Sequence, residues 1–221
     1  MHYNIYKTIK EKILFLEYEP GKILKENVLG REFGVSRTPM REVFMRLEWE
    51  KLVKVIPRTG TMVTEIEFQQ MMNIFRARFE MEGLASRIAS ENMTGHHLNT
   101  IASLADQCTT LMEKNITSKN RNSLKKELTE IDAGYRSVIY NTLNNKIIED
   151  LLRQLYEQTF RLWYKTMDIG DWNMEVKALG DELALAMDIF TKKDPKMAFE
   201  MRKNALTLHF ERIKTKFFGA A

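Results

Sequence analysis

The sequence predicts a mainly α-helical chain in two parts. Residues 1–66 form a small domain of three helices closed by a β-hairpin, and residues 67–221 form an all-α bundle of about six helices. Three observations carry that prediction. Fourteen Met against only 10 Gly and 4 Pro in 221 residues is a composition of helix formers with few breakers. Apolar residues recur at helical spacing through most of the chain. Leu52 to Pro57 and Thr61 to Ile66 alternate instead, around Arg58-Thr59-Gly60, as the two arms of a hairpin do.

Each element follows from local pattern. Ile5, Ile9, Ile13, Leu14 and Leu16 put one apolar face on a first helix, over residues 2–17. Tyr18-Glu19-Pro20-Gly21 ends it. Lys22-Ile23-Leu24 reads as a minor strand, and a second helix over 25–33 presents Val28, Leu29 and Phe33. A third begins after Gly34-Val35 and runs to about Lys51, turning Met40, Val43, Phe44 and Leu47 inward. Beyond Glu67 the spacing predicts helices over 67–91, 95–115, 119–142, 146–167, 171–192 and 194–217. Polar or Gly-containing breaks separate them. Thr94, Ser118 and Asp171 suit N-caps, and Asp194-Pro195 suits a helix start with proline at its first position. Tyr156, Phe160, Trp163 and Tyr164 recur at i, i+4, i+7 and i+8, the spacing of a core or dimer-interface stripe rather than of a ligand cage. Arg153 and Arg161 share that helix, as cavity or surface residues.

Bulk properties narrow the class. The single Cys108 excludes an intramolecular disulfide and a multi-cysteine zinc site. No apolar run reaches membrane-spanning length and none resembles a signal peptide, so the expected location is the cytoplasm, with no membrane partner. Residues 1–66 hold 12 Lys and Arg against 9 Asp and Glu, while the rest of the chain holds 22 against 21. The positive excess therefore sits in the smaller part, as in a nucleic-acid-binding domain, although a solvated mixed-charge surface would give the same total.

The stretch Gly34-Val35-Ser36-Arg37-Thr38-Pro39-Met40-Arg41-Glu42 sharpens this. Arg37 and Arg41, at i and i+4, share one face of a helix start that also carries Ser36 and Thr38. Free N–H groups, two hydroxyls and two guanidinium forks suit phosphates and guanine edges. The run LGREFGVSRTPMREVFMRLEWEKLV, from Leu29 to Val53, resembles the helix-turn-helix signature of the GntR family of bacterial transcription regulators, roughly LA-x3-GVSRTPVREAL-x2-L-x3-GLV. Ile56 to Val63 stands where that family has its wing. The resemblance implies a winged helix-turn-helix that binds palindromic double-stranded operator DNA as a homodimer, as a repressor does. Arg37 and Arg41 would read bases, Ser36 and Thr38 would contact phosphates, and Arg58, Thr59 and Gly60 would lie at the wing tip. Relatives use a further basic residue in the second helix, where Asn27 stands here.

The C-terminal part is similar to the helical ligand-binding domain, called FCD, of the FadR subgroup of that family. Arg78-Phe79-Glu80-Met81-Glu82-Gly83-Leu84-Ala85 parallels its opening R-x-x-L-E-x-x-A, and Asp132-Ala133-Gly134-Tyr135-Arg136 with Asn145 parallels D-x2-F-H…N. Metal-binding members hold a divalent ion with one Asp and three His. Here Asp132 remains, but Arg136, Leu183 and Ala205 (or Asn204 in a register one residue earlier) stand where the histidines belong. A guanidinium has no lone pair and keeps its charge, so Arg136 repels a cation. Of the remaining histidines, His2 is remote, His96 and His97 adjoin a helix start as capping or solvent-facing residues, and His209 is a lone helical histidine. No metal or other cofactor is expected. An anionic small molecule, such as a carboxylate, among Arg78, Asp132, Arg136 and Asn204 is one reading. A salt bridge closing a filled cavity, with no effector, is the other, and an acyl-CoA-responsive regulator is a third. An enzyme is not expected: the chain has no nucleophile elbow, no phosphate-binding glycine loop and no His/Cys/Asp constellation.

Overall fold

The computed structural model describes residues 2–219, apart from the side chains of His2, Tyr3 and Phe218. The chain forms two compact units. One comprises residues 1–74 together with 154–165, and the other comprises 75–153 together with 166–221. This differs from the division at residues 66 and 67 expected from sequence. The helix that follows the hairpin has no breaker at the passage from one unit to the other, and a short segment from far along the chain packs into the first unit.

In the first unit, α1 (His2–Leu14), α2 (Glu26–Glu32) and α3 (Arg37–Trp49) surround one core with a three-stranded antiparallel sheet. Its strands are β1 (Ile23–Leu24), β2 (Val53–Ile56) and β3 (Gly60–Val63), and β3 lies between the other two. Val53 faces Val63 and Ile56 faces Gly60 across the hairpin, while Ile23 faces Met62. Ile5, Ile9 and Ile13 of α1 meet Met40, Val43, Phe44 and Leu47 of α3, with Leu24, Leu52 and Val63 closing the core from the sheet. The helix spacing that predicted these faces is thus realised. Gly34 adopts φ +66°, the left-handed conformation that ends α2, and the Val35 amide donates to the Gly30 carbonyl at 2.8 Å. Gly60 has φ +138°, and a Cβ there would lie 2.9 Å from the Leu24 carbonyl oxygen, so β1 can join the sheet only beside a glycine.

The second unit holds most of α4 (Phe68–Asn92), α5 (Gly95–Met112), α6 (Arg121–Asn141), the start of α7 (Lys146–Thr166), α8 (Trp172–Lys192) and α9 (Pro195–Phe218). Helix α5 packs on α6 and α8, and α8 on α9. Ala85, Ala89, Ile101, Leu128, Leu183, Ala186 and Phe190 are among its buried residues. No described helix is long and apolar enough to cross a membrane.

The caps follow the chemistry of the side chains. Thr94 Oγ1 accepts from the His97 amide while His97 Nδ1 accepts from the Thr94 amide, a reciprocal capping box with histidine in the usual glutamate position. Asp171 accepts from the amides of Asn173 and Met174, and Asp194 from that of Met197, with Pro195 opening α9. Ser118, expected to cap, does not. Asn120 Oδ1 instead accepts from the Thr117 amide and hydroxyl, and the turn so formed delays α6 until Arg121. Asp171→Ala and Asp194→Ala are each expected to lower stability by about 1 kcal/mol in urea unfolding, while Ser118→Ala leaves the midpoint unchanged.

Candidate nucleic-acid interface and a buried ionic centre

Helix α3 presents its basic face to solvent because its apolar face is consumed by the core. Ser36, Arg37, Thr38 and Arg41 are all exposed, the Arg41 side chain to 72%. Ser36 occupies the N-cap position with extended backbone, yet its hydroxyl makes no capping bond. The first-turn amides of α3 therefore remain available to an acceptor from outside the helix. Arg41 Nε lies 3.6 Å from Glu26 Oε1, an exposed contact that tethers the guanidinium weakly. A groove between α2 and the start of α3 is lined by Asn27, Gly30, Arg31, Ser36 and Arg37, among others. Arg31 was missed from sequence. It lies one helical turn beyond Asn27, its Nε donates to the Asn27 carbonyl at 3.2 Å, and it brings a cation to the groove where Asn27 supplies none.

At the hairpin tip, Arg58 and Thr59 are exposed, and the Thr59 amide donates to the Ile56 carbonyl at 3.1 Å. Arg58 takes φ +65°, an uncommon conformation for a residue with a Cβ, which the two-strand register imposes. Gly60 is half-buried against β1 and serves the sheet, so of the three tip residues Arg58 and Thr59 are the ones offered outward.

In the second unit, charged side chains from four helices converge in the interior. Glu82 of α4 is the hub. Its Oε1 accepts from Arg78 Nε at 2.8 Å and Nη2 at 2.6 Å, and its Oε2 accepts from Arg136 Nη1 at 2.6 Å. Arg202 of α9 donates to the same Oε2 from Nε at 2.8 Å and also from Nη2. Arg136 places Nε and Nη2 on the two oxygens of Asp132, each at 2.9 Å, and Arg202 Nη1 reaches Glu182 of α8. Three guanidiniums thus meet three carboxylates. Burial would push the Glu82 carboxyl up, but Arg136, Arg202 and Arg78 hold it well below the usual carboxylate range. Burial pulls Arg78 down, while Glu182 and Glu82 hold Arg202 up against the same penalty.

Three hydroxyls in this interior are buried without a hydrogen-bond partner among the described residues: Tyr135, Tyr140 and Ser86. Burial pushes Tyr140 up to about 12, reinforced by Glu82. The phenols are therefore neutral O–H donors with no acceptor.

Arg78, Asp132 and Arg136 are brought together, Asp132 orienting Arg136 through a bidentate pair. Asn204 is not. It is exposed, because two residues turn an α-helix by about 200° and the inward side of α9 is taken by Arg202. Glu82, Glu182 and Arg202 complete the centre. Glu82 was legible as the i+4 partner of Arg78, whereas Arg202 had no local signal. The donor set does not fit a divalent cation. Both Asp132 oxygens hold Arg136, Leu183 is a buried hydrocarbon and Ala205 has no donor. Among the described residues no group of three His, Cys, Asp or Glu is arranged as a metal site. His97 is a cap and His96 is exposed. The His2 side chain lies outside the described residues.

A three-helix core with a β-hairpin wing and an exposed basic helix face defines a winged helix-turn-helix of the DNA-binding type, here joined in one chain to a helical bundle with an ionic interior. Residues 2–63 match the family of bacterial regulatory proteins, gntR family, and residues 73–198 match the FCD domain. The chain belongs to the FCD-containing GntR family, a family of transcription regulators rather than enzymes. It is 26% identical over 153 residues to the HTH-type transcriptional regulator McbR of Escherichia coli (strain K12), covering 69% of this chain and 66% of that protein. It is 23% identical over 152 residues to the uncharacterized HTH-type transcriptional regulator YdhC of Bacillus subtilis (strain 168), covering 69% of this chain and 65% of that protein. The matched part thus spans about two thirds of the length of these relatives. The solved structure of E. coli McbR/YncC superposes with TM-score 0.81 at 19% identity over 98% of both chains. A putative GntR transcriptional regulator from Rhodococcus sp. RHA1 does so with TM-score 0.72 at 15% identity over 98% of both. At these identities the likeness establishes the fold.

His209 offers a direct test of the ionic interior. Burial, and then Arg212, Arg78, Arg136 and Arg202, hold its pKa well below the ordinary imidazole range. The unfolded side chain titrates near pH 6.5, so the stabilisation is complete above about pH 6.5 and is lost as pH falls below it. His209→Gln is expected to flatten the decline in unfolding midpoint between about pH 6.5 and pH 5, measured by thermal melts across that range.

Proposed function

We propose that this protein is a cytoplasmic transcription regulator that binds a palindromic operator as a homodimer and represses by occupying it. The observation that carries the reading is the outward face of α3, where Arg37, Thr38 and Arg41 are exposed beside a Ser36 hydroxyl that caps nothing. The start of α3 would enter the major groove. Arg37 and Arg41 would read base edges, Ser36 and Thr38 would take phosphate oxygens, and Arg58 and Thr59 would touch the backbone from the wing. Gly60 supports that tip from within the sheet. A bidentate arginine–guanine pair contributes about 1–3 kcal/mol of discrimination. Operator selection from a random library with purified protein is expected to enrich an inverted repeat, and failure to enrich any sequence overturns the reading. On the selected site, Arg41→Ala should flatten preference at one position of each half-site, whereas Thr38→Ala should weaken binding to all sequences alike.

We further propose assignment to the FadR subgroup, with a small carboxylate as effector and no metal. Support comes from the convergence of Arg78, Arg136 and Arg202 beside three unspent hydroxyls, Tyr135, Tyr140 and Ser86. An incoming carboxylate would take one guanidinium from Glu82 or Asp132 and accept from the hydroxyls. A second reading, DNA binding without an effector, is favoured by the match of three guanidiniums to three carboxylates within the centre itself. Thermal shift against a panel of small carboxylates separates them. Tyr140→Phe removes an unpaired buried hydroxyl and should leave the protein as stable or more so, while blunting the shift given by an effector. If no carboxylate shifts the wild type, the effector-free reading stands.

A further inference from the structure

The segment 154–165 belongs to the first unit although it lies some ninety residues beyond the hairpin. Phe15 meets Phe160 and Tyr164 edge-on at 5.4 and 5.2 Å, and Lys10 pairs with Glu157 at 2.7 Å. Among these packing residues Arg161 stands apart. It is only 2% exposed, and a guanidinium in that position sheds its water at considerable cost. Its Nη1 donates to the Thr64 carbonyl at 2.8 Å and its Nη2 to Thr64 Oγ1 at 2.9 Å. Burial pulls its pKa down to about 10, against the opposing pull of Glu65. An apolar side chain would fill such a space without the desolvation cost, so the polar contacts mark what the position requires.

Thr64 is the residue that leaves β3, at the root of the wing. Its amide donates to the Leu52 carbonyl at 3.1 Å, and its hydroxyl donates to the carbonyls of Lys51 at 2.9 Å and Leu52 at 3.1 Å. Lys51, with φ +64°, is the strained residue through which the chain passes from α3 into β2. Thr64 therefore ties the outgoing end of the hairpin to its incoming end, at the joint with α3, and Arg161 holds Thr64 from behind.

We propose that Arg161 is a positioning residue for the wing: by fixing Thr64 it sets the direction in which the β2–β3 hairpin leaves α3 and thereby where Arg58 and Thr59 meet DNA. The DNA part of this inference rests on the proposed operator binding, and the seating of the wing is measurable without DNA. Arg161→Met removes the desolvation cost of a buried charge but also takes the donors from Thr64, effects of opposite sign, so stability is not the discriminating readout.

The test uses the full chain as Arg161→Met, with Thr64→Val as a second variant that removes the hydroxyl and leaves the arginine. In the free protein, amide exchange at Thr61, Val63 and Thr64 is expected to accelerate about tenfold in both variants, while the amides of α1 and α3 exchange as in wild type. Uniform acceleration across the first unit would make Arg161 a general stabiliser and overturn the proposal, as would unchanged exchange in β3. On the selected operator, Arg161→Met is expected to lower affinity about tenfold and to retain the base preference given by Arg41. In an Arg58→Ala background the same substitution should change affinity less than about twofold, since the wing contact is already lost. An equal loss in both backgrounds would place the effect outside the wing. If the wild type selects no operator, the exchange result still decides whether Arg161 seats the hairpin.

Discussion

One carboxylate organises the second unit. Glu82 accepts hydrogen bonds from guanidiniums on α4, α6 and α9, and Arg202 carries the connection on to Glu182 of α8. Each ion in such a place loses several kcal/mol of hydration, and the arrangement persists because every formal charge has an opposite partner at hydrogen-bond distance. Removing any one member upsets the balance of three positive against three negative charges in the interior. Helices α4, α6, α8 and α9 are thereby held in a common register that apolar packing alone would specify less sharply. Among the described residues the buried hydroxyls of Tyr135, Tyr140 and Ser86 have no hydrogen-bond partner.

The first unit is organised by the opposite principle. Its core is apolar, and its charged groups are displayed. The inward row Met40, Val43, Phe44 and Leu47 consumes one side of α3, and Arg37, Thr38 and Arg41 necessarily occupy the other. The one buried guanidinium described in this unit, Arg161, is spent on the backbone and hydroxyl of Thr64 where the hairpin joins the helix. The two units thus place arginine in three settings: exposed on a helix face, buried against internal carboxylates, and buried against a backbone carbonyl.

What could be read from sequence was whatever depends on short spacing. Helix faces, the hairpin, the turn at Gly34 and the caps at Thr94, Asp171 and Asp194 all arise within a few residues, and the structure has them where the spacing puts them. The Asp132–Arg136 pair is of the same kind, one helical turn apart. Ser118 failed because two candidates competed within one turn and Asn120 made the better local hydrogen bonds. Asn204 failed because the inward face of α9 could be read in two neighbouring registers, and Arg202 chose between them.

The sequence by itself determined the class of this protein. A dense run of residues from Leu29 to Val53 carries the helix-turn-helix, and the side chains of Arg136, Leu183 and Ala205 offer no lone pair to a metal ion. Only the tertiary structure decided that Glu82, Arg136 and Arg202, with separations of up to 120 residues, share one centre. Only it decided that the aromatic stripe from Tyr156 to Tyr164, with Arg161, serves the first unit rather than the bundle. The physical reason is the same for both. Periodicity tells which side of a helix is buried, but the partner against which it is buried is fixed by the packing of the whole chain, and no local spacing encodes it.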